Sequence, residues 1–168
     1  MKLTNTFFLA AVIATAAVGS AKANVFSKYG EVEGWRVFVD ETRGKCLIER
    51  TDENENVVQM GLTDEDYLYL GVFTKQEVDF ENGQAEAIKI VIGDTTYSGH
   101  SNTLRGNLSN NYAGGYVYST SPQFAEDLAR QYTAEVFPEK SYAFTIDLTG
   151  TLKAMTMGRE CQQAQSGN

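Results

Sequence analysis

The sequence predicts a mainly β fold with two helices, arranged as a single antiparallel β-sandwich-like domain. Runs in which large apolar residues alternate with other residues recur seven or eight times along the chain, which is the pattern of half-buried strands. Apolar residues recur at helical spacing in two segments, both in the last third of the chain. Short turns separate these runs, and nothing in the sequence resembles a linker between domains.

The first predicted strands follow one another closely. Residues 35–39 and 46–48 alternate in strand fashion on either side of a turn at 42–44, which predicts a hairpin. Two more strands are predicted at 57–62 and 67–73, and polar, acidic turns precede both of them. Antiparallel neighbours are expected because connections this short cannot join parallel strands.

The strongest strand signal of the chain lies at 87–92, where Ile88, Ile90 and Ile92 alternate with other residues. Residues 99–115 are rich in Ser, Asn and Gly and are predicted to be irregular. Further short strands are predicted on both sides of these segments, at 78–80, 95–98 and 116–118.

The first helix is predicted to begin at Pro122, with Ser121 as its N-cap residue. Pro138 is expected to end this element because proline cannot continue a helix. Five apolar residues recur between them at helical spacing: Phe124, Leu128, Ala129, Tyr132 and Val136.

The C-terminal part predicts a strand followed by the second helix. Apolar residues alternate over 142–148, which indicates a buried strand, and Gly150 turns the chain. The second helix is predicted over 151–161. Three of its residues fall on one side at helical spacing: Ala154, Met157 and Cys161.

Residues 1–23 have the pattern of a signal peptide. Lys2 precedes an apolar run at 7–18, and small residues at Ala21 and Ala23 predict cleavage before the next residue. The run is shorter than the roughly 20 residues that a membrane-spanning helix needs. We therefore expect residues 24–168 to form a single globular, β-rich domain that is soluble and is periplasmic or secreted.

The net charge of the mature chain limits the classes of partner that it is expected to bind. Removal of Lys2 and Lys22 leaves 12 of the 14 basic residues against 22 acidic ones, a net charge of −10. Such a surface repels the phosphates of nucleic acids and of anionic lipids, so neither partner is expected. It attracts a basic protein, although solubility also explains the charge.

Cys46 and Cys161 are the two cysteines of the chain. An exported protein meets oxidising conditions, and an even number of cysteines then favours a disulfide bond. A catalytic thiol is the alternative, but there is no CxxC pair and the single histidine is distant in sequence. We expect a disulfide that ties the C-terminal helix to the first hairpin.

Three segments carry a resemblance to known proteins: GWRV at 34–37, GKC at 44–46, and FTIDLTGTLKA at 144–154, which leads to Cys161. The chain resembles small exported bacterial envelope proteins of uncharacterised function and is distantly similar to the invasion-associated locus B family. One difference is that Val39 stands in the region where that family carries a further cysteine. The resemblance implies a periplasmic or outer-envelope β-sandwich-like domain and supplies no catalytic residues.

Catalytic and metal chemistries find little support in the sequence. His100 is the single histidine, and a hydrolase that uses Ser98 or Ser101 with His100 is the enzymatic alternative, although no GxSxG motif is present. Asp52 begins a partial calcium-loop pattern that lacks the required Gly and Glu. No metal site and no cofactor are predicted, and one histidine cannot build a conventional zinc site.

Four tyrosines lie in or beside the irregular stretch and form the predicted binding surface: Tyr97, Tyr112, Tyr116 and Tyr118. Tyrosine suits recognition because it offers a large contact area, few rotatable bonds and a polar tip. Packing in a half-buried strand is the alternative for Tyr116 and Tyr118. The leading hypothesis is a non-enzymatic protein that binds a protein or envelope component, and a specific variant is an inhibitor of a basic secreted enzyme.

Overall fold

A computed structural model describes residues 25–63, 65–76, 86–101 and 112–166. The described strands are β1 Phe26–Val32, β2 Trp35–Asp40, β3 Lys45–Thr51, β4 Val57–Leu62, β5 Leu68–Thr74, β6 Glu86–Ile92, β7 Thr95–Ser101, β8 Ala113–Ser119, β9 Thr133–Val136 and β10 Phe144–Asp147. The described helices are α1 Pro122–Arg130 and α2 Thr151–Ser166. The predicted class, mainly β with two helices, is confirmed.

The strands form one hydrogen-bonded sheet in the order β1-β2-β3-β4-β5-β8-β7-β6-β9-β10, and neighbouring strands are antiparallel. Among the described residues, a single pair, His100 and Tyr116, joins β7 to β8. The sheet therefore divides at this point into two antiparallel halves, one of six strands and one of four. A single apolar cluster draws on both halves and both helices, which makes the molecule one sandwich-like domain.

The first half of the sheet has an inner face that is buried and an outer face that is open. Successive residues of a strand point to opposite faces, so the alternating buried residues of β2 to β5 belong to one side. Helix α2 packs against β1, β2 and β3, and also against α1. The fully or nearly fully buried residues of the inner face are Trp35, Val37, Ile48, Val58, Met60, Leu70 and Val72.

Trp35 anchors the turn that precedes α2. Its indole is fully buried, and Nε1 donates a hydrogen bond of 2.8 Å to the carbonyl oxygen of Thr149. Arg50 donates a second hydrogen bond of 2.8 Å to the same oxygen and forms an ion pair of 2.6 Å with Asp147. The Arg50 guanidinium also lies 5.8 Å from the centre of the Trp35 ring. These contacts connect the start of α2 to β2 and β3.

The predicted disulfide is confirmed and joins β3 to α2. Cys46 and Cys161 are bonded, their Cα atoms are 6.2 Å apart, and both side chains are buried. Gln162, the next residue of α2, accepts a hydrogen bond of 3.1 Å from the Cys46 N–H and donates one of 3.2 Å to the Gly44 carbonyl. The helix is thus held to the hairpin by a covalent bond and two hydrogen bonds.

The predicted extent of the first helix is wrong. Helix α1 ends at Arg130, and residues 133–136 form β9, which pairs with β6 and β10. Val136 fits the helical spacing from Tyr132 and also alternates with Ala134 as in a strand, and both Ala134 and Val136 are buried beside the isoleucines of β6. Hydrogen bonding to a strand on each side therefore stabilises this segment as a strand, although its apolar spacing also fits a helix.

Two further differences concern strands β1 and β8. Strand β1 was not predicted because most of its residues are exposed and show no apolar alternation. Residues 113–115, predicted to be irregular, belong to β8, and a Cβ at Gly114 would lie only 1.9 Å from the Val72 carbonyl oxygen. Only small residues permit this close approach of strands. The predicted strand at 78–80 and the signal peptide at 1–23 lie outside the described residues.

Candidate binding groove

A groove of about 710 Å³ crosses the outer face of the first half of the sheet. The inner face is closed by the core and α2, so the outer face is the side of these strands that a ligand can reach. The groove is lined by side chains of β1, β2, β3, β4, β5 and β8 and of the turns that join them. Its aromatic residues are Phe26, Phe38, Tyr69, Tyr116 and Tyr118.

The register of the strands arranges the outer face in two rows. One row is mostly apolar and runs across five strands through residues that are direct neighbours: Phe38, Leu47, Gly61, Tyr69 and Tyr118. The adjacent row is mostly polar: Arg36, Glu49, Gln59, Gly71 and Tyr116. Directly opposite residues are close enough for their side chains to touch, so each row is a continuous surface.

Two glycines in these rows make room for tyrosine rings. A Cβ at Gly61 would lie 2.7 Å from the hydroxyl of Tyr69, and a Cβ at Gly71 would lie 2.5 Å from Cε1 of Tyr116. Both distances are well below ordinary contact between heavy atoms. The rings therefore lean over the backbone of the neighbouring strand, where any larger residue would displace them.

The tyrosines contact one another and Phe73. The ring centres of Tyr69 and Tyr116 are 5.8 Å apart at an interplanar angle of 78°, and Tyr116 stacks against Tyr118 at 5.9 Å and 29°. The buried Phe73 supports Tyr116 at 5.2 Å. Tyr118 is 51% exposed and forms a wall of the groove. Such aromatic pairs add stability beyond the area that they bury.

The phenols of this cluster are neutral at physiological pH. Burial, together with the neighbouring phenol of Tyr116, raises the pKa of Tyr69. Burial and the neighbouring Tyr118 raise the pKa of Tyr116 in the same way. A neutral phenol both donates and accepts hydrogen bonds, so these groups can contact a ligand without contributing a negative charge.

A chain of hydrogen bonds holds the polar row in place. The Tyr116 hydroxyl donates to Oε1 of Gln59 at 3.2 Å, and the Gln59 amide donates to Oε2 of Glu49 at 2.9 Å. Arg36 donates to the other oxygen of Glu49 at 2.8 Å. Because each partner has a defined donor or acceptor role, the chain determines how the Gln59 amide is oriented in the groove.

Asp40 and Arg43 form one end of the groove. The carboxylate of Asp40 is 3% exposed, and it accepts hydrogen bonds from Nε of Arg43 at 2.7 Å and from the Thr42 N–H at 3.0 Å. Burial on its own raises the pKa of Asp40, but the hydrogen bonds and the charge of Arg43, with the bond from Thr42, lower it below its ordinary value. Asp40 is therefore an anion at neutral pH.

Substitution of Asp40 is expected to lower the free energy of unfolding and to make that free energy less dependent on pH. The pKa of Asp40 is lower in the folded state, so its contribution is present above the unfolded pKa of about 3.9 and is lost as the pH falls through the folded pKa. Asp40→Asn should lower the free energy of unfolding at pH 7 by about 1 to 3 kcal/mol, because charge-assisted hydrogen bonds are lost. Urea unfolding followed by circular dichroism from pH 7 to pH 3 measures both effects.

The exposed carboxylate of Glu139 provides a matched control for this experiment. It pairs with Lys89 at 2.6 Å, and its side chain is mostly accessible to solvent. Glu139→Gln should leave the stability close to that of the wild type, since exposed ion pairs contribute little. An acid dependence that is the same in Asp40→Asn as in the wild type would contradict the assignment to Asp40.

The structure brings two of the four predicted tyrosines together in the groove, Tyr116 and Tyr118. Tyr97 lies elsewhere: its ring centre is 4.6 Å from that of Phe124 in α1, and its hydroxyl donates to Asp127 at 2.6 Å. Burial and the adjacent Asp127 raise the pKa of Tyr97 to about 12. Tyr112 precedes β8, where Nζ of Lys75 lies 5.3 Å from its ring centre.

Sequence reasoning missed Tyr69, which stands at the centre of the groove. The sequence does contain one signal for this site. Gly61 and Gly71 interrupt predicted strands that otherwise consist mainly of large residues. Glycine within a strand often marks a place where another group approaches the backbone closely. The approaching groups can be identified only once the register is known.

The partial calcium loop has a structural role. Oδ1 of Asp52 accepts hydrogen bonds from the N–H groups of Asn54 and Asn56 at 2.8 and 2.9 Å, and thereby stabilises the turn before β4. Asp52 also borders a smaller pocket of about 260 Å³ together with Arg50 and Asp147. Within the described ranges, no three His, Cys, Asp or Glu residues are grouped as metal ligands.

The Ser98, Ser101 and His100 hypothesis concerns strand β7. Ser98 is exposed, whereas the side chains of His100 and Ser101 lie outside the described part of the structure, so the hydrolase alternative stays a prediction. Among the described residues, no helix has the length and apolar character needed to cross a membrane.

Comparisons of the chain with protein-family models, with curated proteins and with solved structures find no match. The resemblance to the invasion-associated locus B family therefore stays a prediction.

Proposed function

We propose that the protein is an exported, non-enzymatic binding protein of the periplasm or the extracellular medium, and that the groove holds its ligand. The observation that carries the proposal is the groove itself, about 710 Å³ in volume and lined by Tyr69, Tyr116 and Tyr118. Pockets for small ligands occupy about 300 to 1,000 Å³ and combine apolar walls with a few placed polar groups. The signal-peptide pattern at 1–23 and the disulfide support export.

The arrangement of the groove favours binding because its side chains are already ordered. Tyr69 and Tyr116 lean over glycines, and hydrogen bonds connect Tyr116, Gln59 and Glu49. Binding would therefore cost little conformational entropy in these side chains, so little affinity would be lost to ordering them. The anionic state of Asp40 and its contacts with Arg43 also favour a structural role over proton transfer.

The test compares two exposed tyrosines, one inside and one outside the groove. Tyr118 is 51% exposed and lines the groove, whereas Tyr132 is 72% exposed and is not among its lining residues. Tyr118→Ala should reduce capture of a component from an envelope extract by about tenfold or more, because an aromatic anchor contributes about 2 kcal/mol. Tyr132→Ala should capture as much as the wild type.

The measurement is quantitative mass spectrometry and glycan staining of material retained by each immobilised variant. Circular dichroism should show that both variants are folded, since exposed substitutions change stability little. Equal retention by Tyr118→Ala and Tyr132→Ala would show that the groove is not the binding site.

A further inference from the structure

Four of the five charged side chains that line the groove are paired with charges of opposite sign, and the fifth, Glu65, is exposed to solvent. Asp40 pairs with Arg43 at 2.7 Å, and Lys45 pairs with Asp66 at 3.0 Å. Glu49, in the polar row, pairs with Arg36 at 2.8 Å. A charged ligand would have to compete with these pairs, although the mature protein as a whole is strongly acidic. The interior of the groove therefore favours a ligand that has no net charge.

The surface between these ion pairs combines carbon-rich areas with neutral hydrogen-bonding groups. Phe38 and Leu47 continue the apolar row that ends at Tyr69 and Tyr118. The phenols and the Gln59 amide lie along the same surface and can both donate and accept. A matching ligand needs apolar faces and hydroxyl groups at its edges.

Sugar rings have this combination, because axial and ring C–H groups form apolar faces while the hydroxyls project around the rim. The faces can pack on aromatic rings, and the hydroxyls can exchange hydrogen bonds with phenols and amides. A basic peptide fits less well, since Asp40 and Glu49 already pair with arginines, which leaves the exposed Glu65 as the lining carboxylate that a cation could meet without competition from a described ion pair. Steering by the overall negative charge would bring such a peptide near without providing a site for it.

We infer that the groove binds a neutral oligosaccharide, with sugar rings packed against Tyr69, Tyr116 and Tyr118 and hydroxyls directed toward Gln59. The inference rests on the proposed function and specifies the ligand class of the same site. Under this inference, the protein is a carbohydrate-binding domain that acts in the periplasm or the extracellular medium.

The experiment titrates the mature, oxidised protein with three neutral oligosaccharides, maltohexaose, cellohexaose and chitohexaose, and with a lysine-rich peptide. Chemical-shift changes of backbone amides locate each probe, and calorimetry gives its affinity at low salt and at about 0.5 M salt, where charge interactions are screened. At least one oligosaccharide should shift amides of β3, β4, β5 and β8. Its affinity should change by less than about twofold with salt, fall about tenfold or more in Tyr118→Ala, and persist in Tyr132→Ala.

A second arm treats the envelope extract before capture. Periodate, applied together with lysozyme and chitinase, removes both the glycans that carry vicinal diols and the 1,4-linked N-acetylhexosamine chains that lack them, and a protease digests protein partners, so the two treatments distinguish the ligand classes. Loss of Tyr118-dependent capture after periodate, with retention after protease, supports the inference. Retention after periodate together with loss after protease overturns it, although the proposed function stands because capture still depends on the groove.

Two further outcomes separate the inference from the function on which it rests. If none of the three oligosaccharides shifts the groove amides while the lysine-rich peptide does so in a salt-sensitive manner, the carbohydrate inference is wrong and the groove remains a binding site. If no probe binds and no captured component depends on Tyr118, both proposals fail.

Discussion

Replacement of Trp35 by alanine is expected to lower the free energy of unfolding by about 3 to 5 kcal/mol. Trp35 is a large, fully buried residue at the start of β2, and its removal leaves a cavity between the sheet and the turn before α2. The variant also loses the hydrogen bond from Nε1 to the Thr149 carbonyl. A loss of this size removes a large fraction of the 5 to 15 kcal/mol that is typical of a domain.

Trp35→Phe is the matched variant, because it keeps much of the buried volume and removes the indole N–H. The Thr149 carbonyl still accepts a hydrogen bond from Arg50, so the loss should be about 1 to 2 kcal/mol. Since Trp35 is the single tryptophan, urea unfolding must be followed by circular dichroism instead of intrinsic fluorescence. A loss below about 1 kcal/mol for Trp35→Ala would contradict the central packing of this side chain.

Removal of the Cys46–Cys161 disulfide is expected to lower the free energy of unfolding by about 2 to 5 kcal/mol. The bond spans 115 residues, and for a loop of this length the chain-entropy model gives roughly 4 to 5 kcal/mol. The reduced protein keeps the hydrogen bonds of Gln162 to β3 and to Gly44, so its native state should remain populated at low denaturant. The main effect should lie in the greater freedom of the unfolded chain.

The Cys46→Ala, Cys161→Ala double variant and the reduced wild type provide two routes to the same test. Both should unfold at lower urea concentrations than the oxidised protein, and the slope of the transition should increase because the unfolded state exposes more surface. Thiol labelling and mass spectrometry establish the redox state of each sample. Identical midpoints for oxidised and reduced protein would contradict a stabilising role for the bond.

The fold class could be predicted because local patterns coincided with the final structure. Ile88, Ile90 and Ile92 alternate along β6, and all three are fully buried. The disulfide could be predicted because the chain has two cysteines, which allow a single intramolecular pairing, and a signal-peptide pattern that favours oxidation. In both cases the signal depends on residue type and spacing and needs no knowledge of which strands are neighbours.

The segment that forms β9 shows where local patterns fail. Val136 lies four residues after Tyr132 and two residues after Ala134, so the segment continues both the helical spacing of α1 and the alternation of a strand. Their pairing with β6 and β10 decides between the two possibilities, and this pairing joins segments that are distant in sequence. Strand β1 was missed for a related reason, since its place at the sheet edge leaves most of its residues exposed.

The groove could be predicted only in part. Tyr116 and Tyr118 alternate on one strand, which suggested a shared surface, whereas Tyr69 joins them only through the pairing of β5 with β8. Tyr97 was grouped with them by its position in the sequence. The narrow connection between β7 and β8 separates the two halves of the sheet, and Tyr97 packs against α1.

Hydroxyl-radical footprinting of the protein, with and without envelope extract, measures whether a ligand occupies the groove. Tyr118 lines the groove and Tyr132 lies outside it, and both side chains are exposed enough to be oxidised in the free protein. The extract should protect Tyr118 and leave the oxidation of Tyr132 unchanged. Unchanged oxidation of Tyr118, or protection of Tyr132 in its place, would contradict the assignment of the groove as the ligand site.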